Sequence, residues 1–239
     1  MNNSETEAEP SARPSRIRRL ATTAWRTFWA DMRRFYSRTN LLRFGIAFLI
    51  ANILANLPPP SESTFDQRFS DWYQQHVRNE SAEKIHRITK HVGDGPTAMV
   101  TGVSALVIGG LYSPTLWCWG VQMARGFAVA MPALGITQQL TGGSRPEKNL
   151  GSYWRPFSSL TQSRGISGHA MAGALPFLIA AEMVPHPAVK AALYLGSGLT
   201  GVSRINSNSH YFSQVLLGWW LAFLTVRIIR QNPTTPEDN

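Results

Sequence analysis

Apolar and polar positions alternate along this chain in blocks that define its elements. Residues 1–15 are polar and proline-containing and read as a disordered arm. From Ile17 to Tyr36 the apolar positions Ile17, Leu20, Ala24, Phe28, Met32 and Phe35 recur at helical spacing, while Arg18, Arg19, Arg26, Arg33 and Arg34 fill much of the remainder. With Trp25 and Trp29 flanking the stripe, this predicts a basic amphipathic helix lying on a membrane surface. An apolar segment from about Leu41 to Leu57 follows and stops at Pro58-Pro59-Pro60. Residues 61–95 are polar again, with Phe65, Phe69, Tyr73 and Val77 on one face and Ile85, Ile88 and Val92 on another, the pattern of two short interfacial helices.

The stretch from Gly95 to Ala124 carries no charge and breaks at Ser113-Pro114, so one span ends there and the next continues past Arg125. Arg125 is costly in lipid and is expected to face the bundle interior or the interface. Further spans cover about Ala170 to Val184, Ala188 to Val202 and Val215 to Ile229. The predicted fold is therefore all-α, a six-span transmembrane bundle with interfacial amphipathic helices. Residues 1–40 form the arm and surface helix, 41–230 the membrane domain and 231–239 a polar tail. If the arm is only an anchor, deleting residues 1–38 is expected to leave catalysis intact.

Composition supports a membrane location. Only 15% of residues are charged, against about 25% in soluble proteins, and the mean hydropathy of -0.14 averages apolar spans with polar ends. The net charge of +9 is not one nucleic-acid-binding patch, because nine arginines crowd between Arg13 and Arg43, directly before the first span. That placement suits an anionic membrane surface and the positive-inside bias. Six spans put both termini on the cytoplasmic side, with Arg227 and Arg230 joining the N-terminal arginines, as in a bacterial inner membrane. The first thirty residues have no apolar core of a signal peptide, so the first span is expected to direct insertion. Cys118 is the only cysteine, which leaves no intramolecular disulfide and no thiolate metal cluster.

The same topology brings three clusters to the outer face. They are Arg145-Pro146 with Lys148 and Arg155-Pro156, Ser167-Gly168-His169, and Ser203-Arg204 followed by His210. Arginine forks match phosphate oxygens and lysine adds a point charge. A Ser-Gly pair at a helix start offers a hydroxyl and free amides to an anion. Two histidines supply a nucleophile for phosphorus and an acid for the departing alkoxide. There is no Walker loop, HExxH or carboxylate-rich metal box, so neither a metal nor another cofactor is expected.

These clusters resemble the three motifs of the type 2 phosphatidic acid phosphatase (PAP2) superfamily, which includes vanadium haloperoxidases: K-x6-R-P, P-S-G-H and S-R-x5-H-x3-D. The resemblance covers about residues 90–230. It implies that His210 is the nucleophile forming a phosphohistidine and His169 the general acid, with Arg204, Ser167 and Gly168 binding phosphate oxygens. Ile166 replaces the proline of the second motif. Gln214 replaces the aspartate of the third; it keeps a hydrogen-bond acceptor for orienting His210 but not the charge, so Gln214→Asp is expected to change turnover. The first motif fits in two registers. Lys148-x6-Arg155-Pro156 matches literally, while Gln138-x6-Arg145-Pro146 sits better at the end of the third span; Arg145 is favoured by context, and Lys148 and Arg155 remain candidates.

The implied activity is metal-independent hydrolysis of a lipid phosphate or diphosphate. Two other readings are a non-catalytic homologue that binds lipid phosphate and a lipid phosphotransferase. Vanadate-dependent halogenation would use the same pocket, but the membrane spans argue against it.

Overall fold

The computed structural model describes residues 16–59, 62–89, 91–158 and 165–232. The expected disordered arm and most of the polar tail lie outside the described residues, as do the side chains of residues 16–21 and 85, among them Ile17, Leu20 and Ile85. Among the described residues the chain is all helical. Its α-helices are α1 (Arg16–Phe35), α2 (Arg38–Asn56), α3 (Phe65–His76), α4 (Glu80–Thr89), α5 (Gly95–Tyr112), α6 (Pro114–Thr141), α7 (Gly168–Met183), α8 (Pro187–Gly196), α9 (Leu199–Asn206) and α10 (Phe212–Ile229).

Local chemistry sets several boundaries. Thr64 Oγ1 accepts from the Gln67 amide and Gln67 Oε1 accepts from the Thr64 amide, a reciprocal cap that starts α3. Ser113 Oγ accepts from the Leu116 amide with Pro114 in the first helical position, so the predicted break separates α5 from α6. Gly142 ends α6 in the left-handed region at φ 49°. A Cβ there would meet the Arg155 carbonyl oxygen at 1.9 Å, so only glycine fits this turn.

Three helices, α2, α5 and α10, are long and apolar enough to cross a membrane, which makes this an integral membrane protein. They play different parts. In α10, 67% of the apolar window is buried, against 17% in α2 and 22% in α5. The central helix is therefore α10, packed against α7, α2, α6 and α9 through Leu217, Leu221, Leu224 and Ile228. The exposed residues Leu42, Ile46, Leu49 and Ile53 on α2, and Val100, Val103, Val107 and Leu111 on α5, recur at helical spacing and form lipid-facing stripes. On its inner side α5 presents Ala98, Gly102, Ala105 and Gly109 to α6, small residues that let two helices approach closely.

The remaining predicted spans have a different form. α6 covers the third at 28 residues and α7 the fourth at only 16. The predicted fifth span is two helices, α8 and α9, interrupted at Ser197-Gly198. The run Gly196-Ser197-Gly198 is a poor helix former, and this local preference outweighs the continuous apolarity that suggested one segment. Ser197 Oγ donates to the Tyr194 carbonyl and accepts from Trp219 Nε1 of α10 at 2.8 Å, which pins the break in place.

Arg125 faces inward, as expected, and its partner comes from the surface helix. Its guanidinium makes two bonds to Asp31 of α1, at 2.8 and 2.9 Å, and another to the Ile229 carbonyl at 2.8 Å. Asn232 donates to Asp31 and accepts from Arg34. Asp31 and Phe35 are buried, so one face of α1 belongs to the bundle. Deleting residues 1–38 would strip Arg125 of its counter-charge, so that deletion is expected to cost stability whatever its effect on catalysis. Removing one member of a buried ion pair leaves the other charge uncompensated. Asp31→Ala is therefore expected to cost about 3 kcal/mol of stability, read as a lower thermal midpoint in detergent. Asp31→Leu combined with Arg125→Met is expected to recover most of the loss.

Candidate active site

At the end of the bundle opposite Arg125, four chain segments meet: the end of α6 with the loop after it, the start of α7, the end of α9, and the junction from Ser207 to Tyr211 that leads into α10. Close packing brings them together. A Cβ on Gly218 of α10 would lie 2.4 Å from the Ser167 carbonyl oxygen, so the glycine lets α10 pass directly beneath the start of α7. In this position the Ser167 amide donates to the Gln214 carbonyl at 3.0 Å.

His210 sits in that junction and is buried. The Arg204 carbonyl accepts from the amides of both Ser209 and His210, which turns the chain back after α9, and Asn208 takes the left-handed conformation at φ 55°. Gln214, four residues on and one helical turn away, lies 2.8 Å from His210 Nδ1 through its Oε1. The orientation of this amide is unambiguous. Oε1 also accepts from the Tyr211 backbone N–H at 3.3 Å, and Nε2 donates to the Ser144 carbonyl at 2.8 Å. A flipped amide would set donor against donor and acceptor against acceptor. In the neutral imidazole His210 Nδ1 therefore carries the proton, and the lone pair is on Nε2.

The surroundings hold the imidazole neutral. Burial pushes His210 down to about 4 from 6.5; the bond to Gln214 opposes this, and the nearby Arg145, His169 and Arg204 add to it. These neighbours separate the two registers of the first motif. Arg145 acts electrostatically on both His210 and Arg204. Arg155 is exposed and donates to the Leu150 carbonyl at 3.0 Å, while Lys148 is exposed at the end of the short helical turn Pro146–Lys148. In the Arg145 register, Gln138 stands where the resemblance has lysine, and it donates to the Ile166 carbonyl at 3.3 Å. Ile166, in the proline position, is buried beneath that loop.

Arg204 and Arg145 form a cationic pair. The like charge of Arg145 bears on Arg204, with Asp94 and Glu147 as weaker opposing charges. Glu147 pairs directly with Arg145 at 3.2 Å. Arg204 Nε is buried with no hydrogen-bond partner among the described residues. An unpaired buried guanidinium nitrogen beside a second arginine is costly unless an anion completes it. Ser167, fully buried, accepts from the Ala170 amide through Oγ and so caps α7. The amide of Gly168, in the first helical position, has no intrahelical acceptor and lies at the positive end of the helix. His169 is half-buried in the same turn. Among the described residues, no three His, Cys, Asp or Glu side chains cluster as a metal site would require.

Three contributors escaped sequence reading. His86 of α4 bonds to Ser203 Oγ at 2.7 Å, and both are buried. Asp66 of α3 accepts from the Ser213 amide at 3.0 Å and from the Ser213 hydroxyl. Ser144 supplies the carbonyl that orients Gln214. Only helical periodicity marked α3 and α4, and it cannot say which distant loop their polar residues meet.

Residues 119–236 match the family model of the PAP2 superfamily. No curated protein matches the chain. Among solved structures, the chain is similar to a transmembrane PAP2-type phosphatidylglycerolphosphate phosphatase from Bacillus subtilis at 16% identity, over 88% of this chain and 94% of that chain, with a TM-score of 0.47. That likeness is too distant to carry substrate or mechanism across.

The protonation of His210 has a definite sign. A base whose folded pKa lies below its unfolded value stabilises the fold fully above the unfolded value. As pH falls, the unfolded chain takes up a proton that the folded chain refuses. The contribution of His210 to stability is therefore expected to decline from pH 6.5 towards about 4, read as the difference in pH dependence between the wild type and His210→Ala; parallel denaturant titrations across that window would check it.

Proposed function

Because the chain belongs to the PAP2 superfamily, we propose that it is a membrane phosphatase that hydrolyses a lipid phosphate or diphosphate through a phosphohistidine on His210. The observation that carries this reading is the buried, unpartnered Nε of Arg204 beside Arg145 and a neutral His210. A doubly anionic headgroup would complete the arginines, and the Ser167 hydroxyl and Gly168 amide would take further oxygens.

The chemistry then needs two steps. His210 Nε2 donates its lone pair to phosphorus, the bond from phosphorus to the ester oxygen breaks, and His169 gives the departing alkoxide a proton. His169 next takes a proton from water, whose oxygen attacks phosphorus and breaks the P–N bond. Inorganic phosphate leaves and the lone pair returns to His210. The arginine pair stabilises the charge on the equatorial oxygens in both transition states.

Gln214 provides tautomer control without charge. An aspartate would stabilise the imidazolium-like phosphohistidine more strongly, whereas the amide gains a bond to the Ser144 carbonyl that a carboxylate would oppose. In this reading α6, α7 and the α8–α9 pair complete a six-span bundle in a bacterial inner membrane, with both termini cytoplasmic and the site on the opposite face. A substrate with its tail in the bilayer would arrive with its headgroup at the site. The basic face of α1 would rest on anionic lipid.

The neutral Gln214 also favours one competing reading, a homologue that binds lipid phosphate without turning it over. Phosphate release from a panel of lipid phosphates and diphosphates decides between them. Release is expected from the wild type and is expected to vanish in His210→Ala, with acid quenching trapping labelled phosphate on His210. Gln214→Leu, which frees the tautomer, is expected to lower kcat by roughly a hundredfold or more. Tight lipid-phosphate binding with neither release nor trapped phosphohistidine would establish the binding protein instead.

A further inference from the structure

The segment that carries His210 is held along one edge by α3. Asp66, Ser70 and Gln74 are four residues apart and so share one face of that helix. Each reaches the same stretch of chain. Gln74 Nε2 donates to the Ile205 carbonyl at 2.9 Å, Ser70 Oγ donates to Asn208 Oδ1 at 3.3 Å, and Asp66 accepts from the Ser213 amide at 3.0 Å. Beside this polar row, Phe69 and Tyr73 pack with Phe212, Val215 and Ile205. The three polar contacts bracket His210 from the end of α9 to the first turn of α10.

Of the three, Asp66 has the most to act on. It is fully buried, and both carboxylate oxygens are used, one by the Ser213 amide and one by the Ser213 hydroxyl. Ser213 N–H is one of the orphan donors at the start of α10, so Asp66 does from α3 what a capping residue ordinarily does from its own helix. It also places a negative charge at the positive end of that helix. Gln214 is the next residue, and its Oε1 must serve Tyr211 and His210 together. A small rotation of this turn would break one of those two bonds.

We propose that Asp66 is a positioning residue for the nucleophile, fixing the first turn of α10 so that Gln214 keeps His210 in its Nδ1–H tautomer. Asp66 works through the turn, since its bonds go to Ser213 and not to the imidazole. The inference rests on the phosphatase reading for its kinetic consequence but not for its geometry. Burial pushes the Asp66 carboxyl up to about 6 from 3.8, with the two bonds from Ser213 opposing the rise. An acid with a raised folded pKa opposes folding once it ionises, so above about pH 6 the charge is kept at the expense of stability.

The test uses the full-length protein in detergent at pH 7.5. Asp66→Asn keeps an acceptor for the Ser213 amide and removes the charge. Its kcat on a lipid phosphate is expected to fall about tenfold or more, with KM within about twofold and the thermal midpoint unchanged or raised. Nitrogen NMR of labelled histidine is expected to show a single Nδ1–H form of His210 in the wild type and a tautomer mixture in the variant. Ser213→Ala, which removes only the hydroxyl bond, is expected to lower kcat about threefold and serves as the second variant. A lower thermal midpoint with kcat and histidine signals unchanged would overturn the proposal, as would wild-type behaviour in both variants. Absence of His210-dependent release in the wild type would overturn the phosphatase reading instead, leaving the NMR comparison to judge Asp66.

Discussion

A buried primary amide placed between a backbone N–H and a backbone carbonyl has one satisfied orientation. Gln214 is in that position, with the Tyr211 amide on its oxygen and the Ser144 carbonyl on its nitrogen. Its remaining acceptor capacity faces His210 Nδ1. The tautomer of His210 and the placement of its lone pair both follow, as does the joining of α10 to the loop after α6. The Gln214 carbonyl extends the same junction to Ser167 at the start of α7. A side chain that departs from the aspartate of the family pattern is thus the point through which three parts of the site are held in register.

Electrostatics complete what geometry begins. Two arginines and two histidines converge in a place where burial penalises charge. His210 yields by staying neutral, which is the state the proposed nucleophile would need. Arg204 stays protonated and is left with an unmatched buried nitrogen. In the proposed reading a polyanionic headgroup would complete that nitrogen.

The far end of the bundle solves the opposite problem. Arg125 lies 16 residues from the C-terminal end of α6, about 24 Å along a helix, and it must be neutralised inside an apolar assembly. Asp31, Asn232 and the Ile229 carbonyl do this, drawing α1 and the end of α10 together. With one polar junction at each end, α10 has its two termini fixed and its middle filled by Leu217, Leu221 and Leu224. The exposed stripes of α2 and α5 are left to lipid.

Much of this was legible along the chain, because it depends on neighbours in sequence. Helical periodicity located α1, α3, α4 and most of the apolar helices. The Ser113-Pro114 break and the Ser167-Gly168 pair marked helix starts, and Ser203, Arg204 and His210 were singled out together by their spacing. Other features were set by contacts between segments far apart, and no local pattern carries them. The Gly196-Ser197-Gly198 break looked apolar enough to continue. Arg145 and Arg155 offered the same chemistry, and packing left Arg145 close enough to act electrostatically on His210 while Arg155 donates to the Leu150 carbonyl. Asp66 and Ser213 lie 147 positions apart, and Asp31 and Arg125 lie 94 apart. By itself the sequence determined which helices form and which reactive groups are available, because propensity and periodicity act over a few residues. Only the tertiary structure decided which of those groups share a pocket and which proton His210 keeps, because burial and hydrogen-bond direction exist only once distant segments meet.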